Sequence, residues 1–269
     1  MSPTDSQSDP GSHAARQSNP IADTRRVHVV LPAYNEAENV GAVLETLDDL
    51  GKRTGLSLHA IVVDDGSRDA TPQIVDRFSG AMRTTLLKHS VNLGLGAAIR
   101  TGLLRAVEES SDRDVIVTMD ADDTFTPTTI PDMLSKIDSG MDVLIASRYA
   151  PGSVVIGVPL HRRFMSLAAS ILFRVVLPIP GVKDYTCGYR AYRASALREA
   201  LAFYREDFVN QDGFQCMVDI LLKLRKLPVH FGEVPLTLRY DRKGGKSKMK
   251  VARTAAKTML LLGRRRLGL

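Results

Sequence analysis

Short apolar runs alternate with helical stretches along the middle of the chain. VHVVLPA (27–33) reads as a strand buried on both faces, and residues 36–50 read as a helix. LHAIVVDD (58–65) is a second strand that ends in acid. Residues 71–80 begin as a helix begins, with Thr71 as the expected N-cap and Pro72 in the first turn. TTLLKHS (84–90) is a short third strand, followed by a glycine-rich turn that feeds a helix over 92–110. DVIVTMD (114–120) and MDVLIASRY (141–149) complete five strands. Such alternation predicts an α/β domain with a mainly parallel central sheet and helices on both faces. Beyond residue 150 come a loop, a mostly apolar helix over 161–177, helices near 195–203 and 213–227, and two short strands in 229–240 broken at Pro235. A basic glycine loop and a helical tail close the chain.

In such sheets, ligands bind beyond the carboxyl ends of the strands. The polar residues follow that rule. Glu36 lies just past the first strand, Asp64 and Asp65 end the second, Asp120 and Asp122 end the fourth, and Arg148 ends the fifth. MDADDTFTP places three carboxylates in four positions, which repel one another unless a cation or solvent intervenes. An Asp-x-Asp pair at a strand end suits Mg²⁺ or Mn²⁺, which favour carboxylates together with substrate phosphates. NLGLG (92–96) departs from the G-x-G-x-x-G fingerprint, and there is no P-loop, so dinucleotide and ATP-hydrolase chemistry lose their main support.

Charge and composition narrow the partners. The net charge of +6 suits anionic ligands: nucleotide phosphates, acidic lipid surfaces or nucleic acid. No stacking platform or recognition motif accompanies the basic tail, so nucleic acid is not an expected partner. The two cysteines form no framework, which fits a reducing, cytoplasmic setting. The first 25 residues are polar, lack the apolar segment of a secretory signal, and read as a disordered tail. No segment reaches the ~20 apolar residues of a membrane span. The chain thus divides into a tail (1–25), one folded domain (26–248) and a basic amphipathic helix (249–269).

The segments VVLPAYNEAENV, VVDDGSRDAT, NLGLGAAIRTGL, MDADDTFTP and ASRY, in this order and spacing, resemble glycosyltransferase family 2 of the GT-A fold, a Rossmann-like architecture. DYTCGYRAYR, GEVPLTLRYDR and GKSK are similar to the branch of dolichol-phosphate mannosyltransferases and polyprenyl-phosphate hexose synthases. The likeness runs from about Val27 to about Lys250. It implies a nucleoside pocket at Pro32, Tyr34 and Glu36, with Val62 and Asp64 at the base or ribose. Asp120, Ala121 and Asp122 would meet the diphosphate and a divalent cation. Arg242 and Lys248, with Ser247 beside them, would meet the donor diphosphate. Arg148, Arg162 and Ser166 would cradle the acceptor phosphate. Asp122 and Arg242 are the expected catalytic pair. Thr124 stands where the family often has a Gln metal ligand, which puts metal affinity in question, and Asp123 either compensates or faces solvent. Asp219 stands where Glu is usual, and the 235–242 stretch is one residue longer than in relatives.

The implied reaction is inverting transfer of a hexose, mannose from GDP-mannose, to a polyprenyl or dolichyl phosphate at the cytosolic face of a membrane. A phosphate nucleophile is already anionic and needs positioning more than a base. A hydroxyl acceptor would need one, and Asp207 and Asp212 are the candidates. Tryptophan is absent, so the Q-x-x-R-W signature of polysaccharide synthases is too. Two other readings stay open: a soluble family-2 transferase with a hydroxyl acceptor, and a nucleotide-sugar-binding protein with weak or no turnover. On a helical wheel of 249–266, Met249, Ala252, Ala255, Ala256, Met259 and Leu260 share one face beside a Lys250, Arg253, Lys257 and Arg264 stripe. Such a helix, with 161–177, suits peripheral contact with an anionic membrane surface, and leaves room for a membrane-embedded partner subunit.

Overall fold

A computed structural model describes residues 25–242 and Gly263. The expected tail over 1–24 and the expected basic loop and amphipathic helix over 243–269, Ser247 and Lys248 included, lie outside the described residues apart from Gly263.

Seven strands form one sheet: β1 (Arg26–Ala33), β2 (Ser57–Asp64), β3 (Arg83–Lys88), β4 (Val115–Thr118), β5 (Val143–Ser147), β7 (Arg190–Arg193) and β8 (Phe231–Pro235), in the order β3-β2-β1-β4-β7-β5-β8. β6 (Val154–Ile156) and β9 (Thr237–Arg239) make a small second sheet. The helices are α1 (Val40–Thr54), α2 (Thr71–Asp76), α3 (Leu95–Glu109), α4 (Ile130–Asp138), α5 (Leu160–Val176), α6 (Ala194–Tyr204) and α7 (Gln215–Leu224). β1, β2 and β4 are rich in buried Val, Leu and Ile because helices cover both their faces. The fold is the expected α/β architecture in one domain. From β1 the chain steps outward to β2 and β3, then returns to β4 on the other side of β1. The order reverses between β1 and β4, which sets the ligand crevice beyond their carboxyl ends.

β7 has no counterpart in the sequence reading. It runs antiparallel between β4 and β5, pairing Thr118 with Arg190 and Ile145 with Arg190. Its sequence, RAYR, disguises a core strand, yet Arg190 is fully buried and its guanidinium donates to the carbonyls of Met217 and Tyr185. A second correction concerns Thr71. It lies inside α2 and caps nothing: its hydroxyl donates to Asp69 Oδ1 and accepts from the Glu36 amide. The 229–240 pair of strands is real, but its members join different sheets, β8 beside β5 and β9 beside β6.

At the amino edge of the sheet, His28 and His59 sit side by side in register and are 0% and 2% exposed. Burial pushes both imidazoles below their ordinary 6.5, His59 to about 4. Both are neutral in the folded chain at pH 7, whereas unfolded histidine takes up a proton below about pH 6.5. Their contribution to stability is therefore complete above pH 6.5 and is lost as pH falls toward 4. In the metal-free chain, urea midpoints are expected to fall between pH 6.5 and 4.5, and His59→Gln should flatten that slope. An unchanged slope in the variant would contradict the assignment.

Candidate active site

The loops after β1 and β2 are stitched together by side chains. Asn35, at φ 51° in the left-handed region, donates its amide to Ser67 Oγ and accepts the Arg68 amide on Oδ1. The Ala37 amide meets Asp69 Oδ2, and Asn39 Nδ2 meets Glu36 Oε2. Asp64 Oδ1 accepts the Ser67 amide. These bonds fix a cleft wall on which Pro32, Tyr34 and Glu36 are half-buried. Val62 differs: it lies two residues short of the strand end and is wholly enclosed, so its side chain is core.

Asp65 faces elsewhere. Its carboxylate accepts the amides of Leu93 and Gly94 and pairs with His89 Nδ1 at 2.7 Å. The Gly96 amide is taken by the Asp212 carbonyl at 3.0 Å. A Cβ on Gly96 would come within 1.7 Å of the Gln211 carbonyl, so the glycines of this turn admit the 211–212 backbone. The NLGLG turn is thus filled by the protein's own groups. Asp212 and Asp207 are exposed at this side of the molecule. Asp219 is buried and ion-paired at 2.6 Å with buried Lys223, which also donates to the carbonyls of Asp207 and Phe208. It braces the 207–210 turn from inside the core.

The acidic loop follows β4. Asp122 is buried, and its Oδ1 accepts both the Thr124 amide at 3.2 Å and the Thr124 hydroxyl at 2.6 Å. That hydroxyl therefore aims the Asp122 carboxylate, the tight Asx-type turn expected of an Asp two residues before a hydroxyl. Ala121 is buried, and Asp120 sits half-buried beside Gly188. Asp123 adopts φ 56°. It does not simply face solvent: burial raises its carboxyl pKa, Arg242 and then Arg239 pull against that, and Asp122 adds to it. The arginines arrive because β9 docks on this loop. The Arg239 amide donates to the Thr124 carbonyl at 2.8 Å, and Phe125 bridges to Leu238. A short turn, Tyr240–Arg242, follows β9 and brings the Arg242 charge within electrostatic reach of Asp123. The donor set on the loop is all oxygen, which fits a hard divalent cation.

Two strands away, Arg148 follows β5. Its Nε and NH2 atoms form a fork on Asp184 at 2.7 and 2.6 Å, its amide bonds Asp184 Oδ2, and NH2 also meets Thr186 Oγ1 at 2.6 Å. Burial works against the guanidinium charge, but Asp184 more than offsets it, and Arg148 in turn holds Asp184 below the usual carboxylate range. The guanidinium lies 5.6 Å from the Tyr149 ring, and the Tyr149 hydroxyl donates to Ser166 Oγ at 3.0 Å. Arg148 and Ser166 are thereby joined through Tyr149. Arg162 falls in the first turns of α5, but its side chain lies outside the described residues. Segment 184–188 links the two halves: Asp184 and Thr186 hold Arg148, and the Gly188 carbonyl accepts the Thr118 hydroxyl at the base of the acidic loop. Asp184 escaped the sequence reading. Its signal was a lone acid in an otherwise basic and aromatic segment.

α5 presents an apolar stripe outward. Leu160, Phe164, Leu167, Ile171 and Val175 share one face, with Phe164 70% and Val175 75% exposed, while Ser170, Phe173 and Leu177 point to the core. Val154 and Ile156 of β6 add to the exposed apolar surface. Arg163, Arg174 and Lys183 are exposed nearby. No described helix is long and apolar enough to cross a membrane.

The description Glycosyl transferase family 2 matches residues 28–201. The polyprenol monophosphomannose synthase of Mycolicibacterium smegmatis is 32% identical over 231 residues, 85% of this chain and 83% of that protein. The undecaprenyl-phosphate mannosyltransferase of Micrococcus luteus is 33% identical, covering 83% and 87%. The dolichol-phosphate mannosyltransferase of Pyrococcus furiosus is 32% identical over 84% of this chain, which spans 59% of that protein. Among solved structures, glucosyl-3-phosphoglycerate synthase from Mycobacterium tuberculosis, in complex with Mn²⁺, uridine diphosphate and phosphoglyceric acid, superposes with a TM-score of 0.65 over 91% of this chain and 80% of that one. At 19% identity that likeness carries the fold alone.

Proposed function

The chain belongs to glycosyl transferase family 2 and is a glycosyltransferase, and from that premise we propose that it transfers mannose from GDP-mannose to a polyprenyl phosphate at the cytosolic face of a membrane. One observation carries the reading: the acidic loop with Arg242 and the Arg148–Asp184 fork share a sheet edge, and the apolar stripe of α5 begins beside the second. An anionic donor and an anionic lipid acceptor are what such an edge can take. The names of the three mannosyltransferases above support the sugar and the acceptor class.

In this reading an acceptor phosphate oxygen attacks the anomeric carbon as the bond to the nucleoside diphosphate breaks, with inversion. Arg148, Ser166 and Arg162 orient the acceptor phosphate, with the Nε and NH2 edge of Arg148 held by Asp184 and its NH1 left to face a phosphate oxygen. Arg242, whose charge acts on Asp123 beside the acidic loop, stabilises the growing charge of the departing diphosphate. Pro32, Tyr34, Glu36 and Asp64 bound the nucleoside. Asp120 and Asp122 would hold Mg²⁺ or Mn²⁺, which supplies Lewis-acid stabilisation of the leaving group when bound. Thr124 serves that site through Asp122. The stripe on α5, rimmed by Arg163, Arg174 and Lys183, rests on an anionic lipid surface, each basic residue adding roughly 1 kcal/mol. Buried, unpaired Cys187 and Cys216 accord with the cytosolic side.

The test supplies labelled GDP-mannose, Mg²⁺ or Mn²⁺, and polyprenyl phosphate in liposomes containing anionic lipid. Labelled, acid-labile mannolipid is expected. No glycolipid with any common nucleotide sugar would overturn the reading, and product only on hydroxyl acceptors would favour the soluble transferase.

A further inference from the structure

We infer that His28, His59 and Glu109 form a second metal site, selective for Zn²⁺ and similar nitrogen-seeking cations, at the sheet edge opposite the donor cleft. Their ligand atoms all lie within 4.8 Å of one another. The two Nδ1 atoms share a hydrogen bond at 3.1 Å, and Glu109 Oε2 lies 3.5 Å from His59 Nδ1. Ligands about 2.05 Å from a tetrahedral zinc stand about 3.3 Å apart, the spacing these two distances bracket. Register sets the pair: His28 on β1 lies opposite His59 on β2, and the last residue of α3 brings Glu109 over them.

The surroundings point the same way. A metal-binding imidazole usually gives its other nitrogen to a hydrogen-bond acceptor, which fixes the tautomer. His59 Nε2 meets Thr85 Oγ1 at 2.9 Å, and His28 Nε2 faces Asp114 Oδ2 at 3.6 Å without a hydrogen-bond partner among the described residues. His59 Nδ1 faces Glu109, and the proton shared between the two Nδ1 atoms is the one a metal would displace. Burial keeps both rings neutral at pH 7, the state that binds metal. Glu109 is ion-paired to Arg83 at 3.1 Å and Arg105 at 2.5 Å. Those two cations offset the Glu109 charge, so a metal there would be held chiefly through the imidazole nitrogens and would displace an arginine from Glu109. From His28 to the end of β1 is roughly 17 Å at ~3.3 Å per residue, so the site is separate from the acidic loop. A metal there would tie β1, β2 and α3 together, a structural role that does not touch transfer.

The test uses the full chain carrying Asp122→Asn, which silences the donor-side cation site. Zn²⁺ is titrated by calorimetry, and Co²⁺ by visible absorption. One equivalent of Zn²⁺, a rise in the thermal midpoint unaffected by millimolar Mg²⁺, and the intense visible bands of four-coordinate Co²⁺ are expected. Adding His59→Gln should weaken Zn²⁺ binding at least tenfold, and His59→Gln in the otherwise unaltered chain should leave transfer activity unchanged. Equal Zn²⁺ uptake with and without His59→Gln would overturn the site. So would absence of stoichiometric Zn²⁺ and of the Co²⁺ bands in the chain retaining both histidines, a readout that stands even if His59→Gln fails to fold.

Discussion

Replacing Asp122 by asparagine is expected to lower sugar transfer about a thousandfold while leaving the fold intact. Asparagine keeps an oxygen where Asp122 Oδ1 stands, so the Thr124 amide and hydroxyl retain their acceptor and the loop keeps its turn. What disappears is the charge that, in the proposed reaction, would face a cation and a diphosphate. Stabilisation of that kind is worth several kcal/mol, and ~4 kcal/mol is about three decades in rate. Thr124→Val separates aim from charge. Valine keeps the branched shape but cannot hold Asp122, so a smaller drop of about tenfold is expected, near the ~1 kcal/mol net value of one hydrogen bond. Steady-state rates across a Mg²⁺ series, with a thermal midpoint for each variant, decide the matter. Turnover of Asp122→Asn within tenfold of the parent chain would remove Asp122 from the machinery.

The largest stability loss is expected at Asp184. The residue is wholly buried and receives the Arg148 fork, the Arg148 amide and the amides of Thr186 and Cys187. Asp184→Ala strips a mostly buried guanidinium of its counter-charge and orphans several amides together. Breaking a buried pair from one side costs about 3–5 kcal/mol. In a domain of this size that lowers the thermal midpoint by about 10 °C. Asp184→Asn keeps an acceptor oxygen and should lose less stability, yet it no longer holds the fork. Its kcat/KM for the lipid acceptor is expected to fall while donor binding is unchanged. A midpoint for Asp184→Ala within 2 °C of the parent would show that the pair contributes little.

Much of this arrangement was legible in the amino acids, and the exceptions share a cause. Strand ends are marked by a switch from Val and Ile to acid, so Asp64, Asp120 and Asp122 mark the carboxyl edge of the sheet in the sequence itself. What escapes is whatever depends on a partner distant in the chain. RAYR reads as surface until Met217 and Tyr185 supply carbonyls for Arg190. Asp65 reads as one more acid of the cleft until the Leu93 and Gly94 amides claim it. Thr124 stood out as an odd neighbour to the acids, but its bond to Asp122 could not be read from residue types. Asp123 was open between metal and solvent, and the charge that faces it, Arg242, comes from the far end of the described chain.

The docking of β9 on the acidic loop also sets an order of assembly. During synthesis the residues of β1 to β4, and with them Asp120 and Asp122, leave the ribosome long before Thr237–Arg239. Parallel pairing of β1, β2 and β4 needs nothing from the carboxyl end. A nascent chain can therefore carry the acids on a formed sheet while their arginines are still unmade. The loop after β4 is therefore covered only once β9 has been made, well after the sheet that carries its acids.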